Sequence, residues 1–132
     1  MKRAALAALV FAAMLGACAT QLPPAPAPFD LAGSSWVLVT SATPAPTVTF
    51  TERGASGNAG CNRWFSSARR NQQALTFGNI GTTRMACAEP QMATERAFLQ
   101  ALNETQGARQ ENGELVLYDI GGADLARFRR TN

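Results

Sequence analysis

The stretch from Ser56 to Cys87 constrains this chain more than any other. It opens Ser-Gly-Asn-Ala-Gly-Cys-Asn-Arg-Trp-Phe over residues 56–65 and closes Ile-Gly-Thr-Thr-Arg-Met-Ala-Cys over residues 80–87. Between the two cysteines lie glycines, alternating apolar residues and threonines, with no helical period, so they bracket β-structure. Gly57 and Gly60 inside a strand running from Ala55 to Ser67 predict a bulge or a close backbone approach. A glycine-rich phosphate cradle is the other use of such a run, but no lysine and no helix pattern follow it.

Histidine is absent from the 132 residues, which removes the commonest general base and metal ligand. Ser-His-Asp and Cys-His sites therefore cannot be built from this chain alone, and no catalytic pair of acids, cofactor motif or metal-ligand cluster is visible. The net charge is +3, and Lys2 and Arg3 supply two of those charges, so the remainder is close to neutral. A nucleic-acid partner needs a basic surplus and is not expected. Lys2 is the only lysine. The other basic residues are all arginine, read either as anion recognition by guanidinium forks or as the compositional bias of an Ala-rich proteome.

Met1-Lys2-Arg3 forms a short positive region, and Ala4 to Leu15 an apolar one too short to span a bilayer as a mature helix. Leu15-Gly16-Ala17-Cys18 then resembles the lipobox of bacterial lipoproteins. The resemblance implies removal of residues 1–17 and lipidation of Cys18. Ala19 follows with no retention aspartate, so the outer membrane, facing the periplasm, is the expected address. Four of the seven prolines fall in residues 18–30, an Ala/Pro-rich segment that reads as a semi-rigid tether. With Cys18 committed to lipid, Cys61 and Cys87 remain as an even pair in an oxidising compartment. Their separation of 26 carries no Cys-x-x-Cys spacing, and a structural disulfide is the reading, with free buried thiols as its alternative.

The folded domain is placed at residues 31–130. Trp36 to Thr40 is a strand. Thr47 to Thr51 alternates, with Val48 and Phe50 on one face. Ala74 to Phe77 and Ile80 to Met85 are further strands, joined to the preceding one by a polar connector at Arg69 to Gln73. Pro90 suits the first turn of a helix, Met92, Phe98, Leu99 and Leu102 form its apolar stripe, and Gly107 is its expected stop. Arg109 to Glu111, Glu114 to Asp119 and Asp124 to Arg129 complete the strands, with turns at Asn112-Gly113 and Gly121-Gly122. Leu115, Val116 and Leu117 run consecutively, so that strand is expected to be covered on both sides.

Gly60-Cys61-Asn62-Arg63, Thr83-Arg84-Met85-Ala86-Cys87, and Met92 with Glu95 ahead of Phe98-Leu99-Gln100-Ala101-Leu102 resemble the META domain, the HslJ-like family. The resemblance implies a mainly β fold with one helix (α+β), a compact and strongly twisted antiparallel β-barrel-like sheet. It also implies a non-enzymatic envelope lipoprotein tied to heat or antibiotic tolerance, expected as a monomer working through an envelope protein partner. A small hydrophobic ligand or lipid held inside the barrel is the alternative. Asn62 is expected to satisfy backbone groups beside the bulge, and Arg84 and Glu95 are a candidate ion pair. Trp64 and Phe65 are candidates for an interaction surface if the bulge turns one outward, against core placement of both.

Overall fold

In the computed structural model, which describes Leu22 and residues 29–132, the alternating segments become a closed circuit of antiparallel strands. Residues 1–17, Cys18 and most of the tether fall outside the described residues. The strands are β1 (Ser35–Leu38), β2 (Thr47–Phe50), β3 (Gly54–Asn58), β4 (Arg63–Asn71), β5 (Ala74–Phe77), β6 (Gly81–Thr82), β7 (Gly107–Glu111), β8 (Glu114–Tyr118) and β9 (Asp124–Arg130). One helix, α1 (Glu89–Glu104), interrupts them between β6 and β7. The order around the sheet is β3-β2-β1-β9-β8-β7-β5-β4-β6, and β3 pairs again with β4 to close it.

Strand β4 makes the closure possible because it is long enough to use its edges in sections. Its first half pairs with β3, from Arg63↔Asn58 to Ser67↔Gly54. On its other edge Trp64 and Phe65 pair with β6, and residues from Ala68 to Asn71 pair with β5. The thinnest seam lies between β5 and β7, at the single pair Ala74↔Gly107. Backbone bonds from Leu75 N to Gln106 O (3.1 Å) and from Ala108 N to Gln73 O (2.9 Å) hold it. Gly107 is needed there because a Cβ would lie 2.2 Å from Cζ of the Tyr118 ring.

Inward residues at period two fill the ring. Trp36, Val48, Phe50, Trp64, Leu75, Leu115, Leu117 and Phe128 are each at most 1% exposed. Helix α1 adds Phe98 and Leu102. Rings link in sequence from Phe50 to Phe77 (6.3 Å between centroids), Phe77 to Trp64 (5.9 Å), Trp64 to Phe98 (5.7 Å) and Phe98 to Phe128 (6.3 Å). Burying side chains of this size stabilises the fold by about 1.5–3 kcal/mol each. Val116 is buried too, but on the outer side, beneath Arg109 and Arg127, which flank it in register on β7 and β9. Their aliphatic stems explain why an apolar residue survives there.

Three segment boundaries differ from the sequence expectation. The single strand expected from Ala55 to Ser67 is a hairpin: β3 and β4 joined by a turn at residues 59–62, with Gly60 at φ +118. The polar connector at Arg69 is the end of β4, and the turn falls at Gln72, whose φ is 55. The helix ends at Glu104, before Gly107. Thr105 turns to extended backbone while its Oγ1 donates to Ala101 O (2.7 Å), and Gln106 N donates to Tyr118 O (2.9 Å), starting the next strand.

Candidate functional site

The turn between β3 and β4 meets the segment after β6 and the first half of α1, and Gly60, Cys61, Asn62, Thr83, Met85, Cys87 and Glu95 of the motifs converge there. Gly60 lies against the helix: a Cβ would stand 3.2 Å from Thr94 Cγ2 and 3.3 Å from Gln91 O. The positive φ and this close approach both select glycine. Asn58 Oδ1 accepts from Gly60 N (2.7 Å), fixing the turn's entry. Cys61 is then disulfide-bonded to Cys87, with 6.0 Å between Cα atoms.

Asn62 is the hub. Its Oδ1 accepts from Met85 N (2.6 Å) and Thr83 Oγ1 (3.0 Å), and its Nδ2 donates to Met85 O (3.2 Å) and Glu95 Oε1 (3.0 Å). Its backbone N–H donates to Glu95 Oε2 (2.6 Å). The side chain thus replaces a missing strand partner for residues 83–85. This is why regular pairing of the expected Ile80–Met85 strand reduces to Gly81–Thr82. Glu95 is 7% exposed on α1, with both oxygens engaged by Asn62. The expected Arg84–Glu95 ion pair is therefore corrected: Glu95 points into the clasp, while Arg84 is exposed and forms no ion pair among the described residues. Among those residues no buried side-chain nitrogen or oxygen lacks a partner. The clasp spends its donors and acceptors on itself, which is a structural role.

Beyond the clasp, the outer surface divides into unlike faces. Along β4 the exposure alternates: Arg63, Phe65, Ser67 and Arg69 face out, and Trp64 and Ser66 face in. Trp64 is thus core, with Nε1 donating to Thr47 O (3.1 Å), and it leaves the candidate interaction surface. Phe65 stays on it, 63% exposed, its ring lying over Gly81, where a Cβ would be 2.4 Å from Cζ. Met85, 60% exposed, follows Arg84 just past β6. On the outer face of β7, β8 and β9, by contrast, Arg109 and Arg127 bind Glu111 and Asp124, and Arg127 also reaches Glu114. Hydrogen bonds from Arg109, then Arg127, hold the Glu111 and Asp124 carboxyls below the usual carboxylate range. A groove of about 240 Å³ runs between α1 and the β1/β9 edge, floored by Ala97, Ala101 and Ala126 between Leu38 and Leu125.

A comparison with protein-family models matches residues 29–132 to the META domain. The chain belongs to the META domain family. Within this META domain, Gly60-Cys61-Asn62-Arg63 and Thr83-Arg84-Met85-Ala86-Cys87 form the two sides of the clasp, and Glu95 is its third. An NMR structure of a protein from Burkholderia xenovorans is similar, at 30% identity and a TM-score of 0.65, over 89% of this chain and 99% of that one. A second NMR structure matches at 25% identity and a TM-score of 0.59, over 75% and 90% of the two chains. A search of curated proteins gives no match.

Glu95 is the clasp residue that pattern reading assigned the wrong partner. Its position between Met92 and Phe98, on the apolar stripe of α1, was the signal that it faces inward. Among the described residues no group of three or more His, Cys, Asp or Glu side chains is placed to hold a metal ion. No helix there is long and apolar enough to cross a membrane.

Proposed function

We propose that this META domain is a non-enzymatic, lipid-anchored module of the cell envelope, serving heat or antibiotic tolerance through contacts made by its outer surface. It is anchored at Cys18 after loss of residues 1–17, in the outer membrane facing the periplasm, and acts as a monomer toward an envelope protein. The observation carrying the reading is the Cys61–Cys87 bridge. It uses two of the three cysteines within the domain, fits an oxidising compartment, and leaves Cys18 as the remaining thiol for lipid. The META family is not known as enzymatic.

A ligand inside the ring is the weaker reading. It would have to displace Trp36, Trp64, Phe50 and Phe128, each at most 1% exposed. The anchoring is tested by intact-mass analysis of the protein extracted from membranes of an expressing Gram-negative host. The expected product begins at Cys18 and carries diacylglycerol, and Cys18→Ser moves the protein out of the membrane fraction. A wild-type chain that stays unmodified and soluble overturns it. Loss of heat or antibiotic tolerance on deletion, restored by wild type and not by Cys18→Ser, tests the role.

A further inference from the structure

We propose that the outward face of β4 is the side on which the domain rests against an anionic phospholipid surface. Arg63, Phe65, Ser67 and Arg69 stand on one face of one strand, about 7 Å apart in succession. The neighbouring strands leave this ridge uncovered. Gly81 of β6 lies beneath Phe65, and Gly78, just past the end of β5, sets no side chain over Ser67, where a Cβ would meet Ser67 Oγ at 2.2 Å. Arg84 and Met85, both exposed, follow Thr83, whose backbone N donates to Arg63 O (3.0 Å). The face thus offers the exposed Phe65 between Arg63 and Arg69, with the exposed Arg84 and Met85 in the segment beside it.

Charge decides the partner. None of these three arginines forms an ion pair or a side-chain hydrogen bond among the described residues. Strands β3, β4, β5 and β6 contain no acidic residue. Glu95, the acid of the clasp, is turned inward to Asn62. On the far side of the circuit, Glu111 and Asp124 are already neutralised by Arg109 and Arg127. Arg53 and Arg129 are also exposed without an ion pair, but among the described residues only β4 sets two such arginines, Arg63 and Arg69, on either side of an exposed aromatic ring. Single apolar side chains between guanidinium groups can enter the boundary of head groups and acyl chains, with the cations at the phosphates.

The point where the domain begins agrees with this. The Arg70 guanidinium lies 5.6 Å over the Phe29 ring and pairs with Asp30, so the chain enters the domain at the far end of β4 itself. The eleven residues 18–28 can span at most about 36–40 Å of extended chain, enough to lay this face on the membrane that holds Cys18. The inference rests on the envelope reading for its proximity to a membrane, but its test does not use the lipid.

The test takes the chain from Ala19 to Asn132, which contains the whole ring, core and disulfide, in co-sedimentation with vesicles. It should bind vesicles of phosphatidylglycerol and phosphatidylethanolamine, bind phosphatidylcholine vesicles weakly, and be released as salt rises. Arg63→Gln, Arg69→Gln and Arg84→Gln should each lower partitioning about five-fold. Phe65→Ala should lower it several-fold, whereas Arg129→Gln on β9 should leave it unchanged. Equal binding to both vesicle types, no binding, or an Arg63/Arg69/Arg84 triple variant that binds like wild type overturns the inference. So does arginine-dependent binding to isolated peptidoglycan or to a membrane protein without binding to the anionic vesicles. Failure of Cys18 modification is read separately, by mass, and leaves this result standing.

Discussion

Asn62→Ala should be among the most damaging single changes in this domain although it deletes no apolar area. The side chain makes four hydrogen bonds, two to Met85 backbone groups, one with Thr83 Oγ1 and one to Glu95 Oε1. Each contributes about 1 kcal/mol net, and a buried group left without a partner costs about 1–3 kcal/mol. Water can replace part of the Met85 bonding, since that segment is exposed, but it reaches the 7% exposed Glu95 poorly. The loss should therefore be about 3–5 kcal/mol, set against a total of about 5–15 kcal/mol for a domain of this size. Urea unfolding followed by fluorescence of the buried Trp36 and Trp64, with the disulfide intact, reads it directly. A double-mutant cycle with Glu95→Gln isolates the shared part, expected at about 1–2 kcal/mol. Ser66→Ala, which removes one bond to the adjacent Ser67 O, serves as a control for a small buried polar change. If Asn62→Ala costs no more than Ser66→Ala, or if the Asn62 and Glu95 variants are additive, the clasp does not hold the domain together and its assignment is refuted.

Removing the bridge with Cys61→Ser/Cys87→Ser should cost about 3 kcal/mol in the same urea assay, from the 26-residue separation it closes. Gly57→Ala should cost about 3 kcal/mol, because its Cβ would fall 2.1 Å from the Thr47 backbone oxygen, which cannot swing aside. Gly121→Ala, whose Cβ meets only the Asp119 carboxyl oxygen at 3.3 Å, should be close to neutral by the same measure. The depressed Glu111 and Asp124 carboxyls contribute stability that is present above the ordinary carboxylate range and lost as pH falls through their lowered values. A thermal midpoint series down to pH 2 should therefore fall more steeply for wild type than for Arg109→Gln/Arg127→Gln, and added salt should shrink the difference.

Much of the fold could be read from periodicity, where burial alone decides. Val48 and Phe50 point inward, Leu115 to Leu117 are covered on both sides, and Asn112-Gly113 turns with φ 52 and 81. What pattern reading missed lies where side chains substitute for backbone. A strand bulge and a hairpin turn both call for glycine, so Gly57 and Gly60 did not distinguish them. Asn58 bonding Gly60 N, and Gly60 against α1, made the turn. Thr83 and Met85 look like strand residues, yet beyond the single Thr83 N to Arg63 O bond they pair with the Asn62 side chain and not with a ladder. Gly107 read as a helix stop because its real constraint, the Tyr118 ring, is remote in sequence. The ion pairs of β7 to β9 depend on register across three strands, which composition does not carry.

Those ion pairs also supply the comparison that gives the β4 arginines their meaning. Where this fold uses arginine for itself, a carboxyl or a ring is at hand: Arg109 and Arg127 among three acids over Val116, Arg70 on Phe29 and Asp30, Arg130 over Trp36. Such residues cover apolar surface with their stems and have their charge answered nearby. Arg63, Arg69 and Arg84 meet neither an acid nor an aromatic ring, a condition they share with Arg53 and Arg129, but strands β3 to β6 around them are free of carboxyls and the exposed Phe65 stands between the first two. A compositional preference for arginine over lysine accounts for the residue type everywhere, but not for an exposed phenylalanine between two unpaired arginines on one strand face. Stability gains nothing from leaving three like charges beside an exposed Phe65, since mutual repulsion and an uncovered ring both oppose folding. The cost is small because the clasp and the bridge hold the edge of that face, through Asn62 and Cys61 next to Arg63. The most firmly tied corner of the ring thus carries the side chains with least reason to be there for the fold, which is where a surface for something outside the chain should be sought.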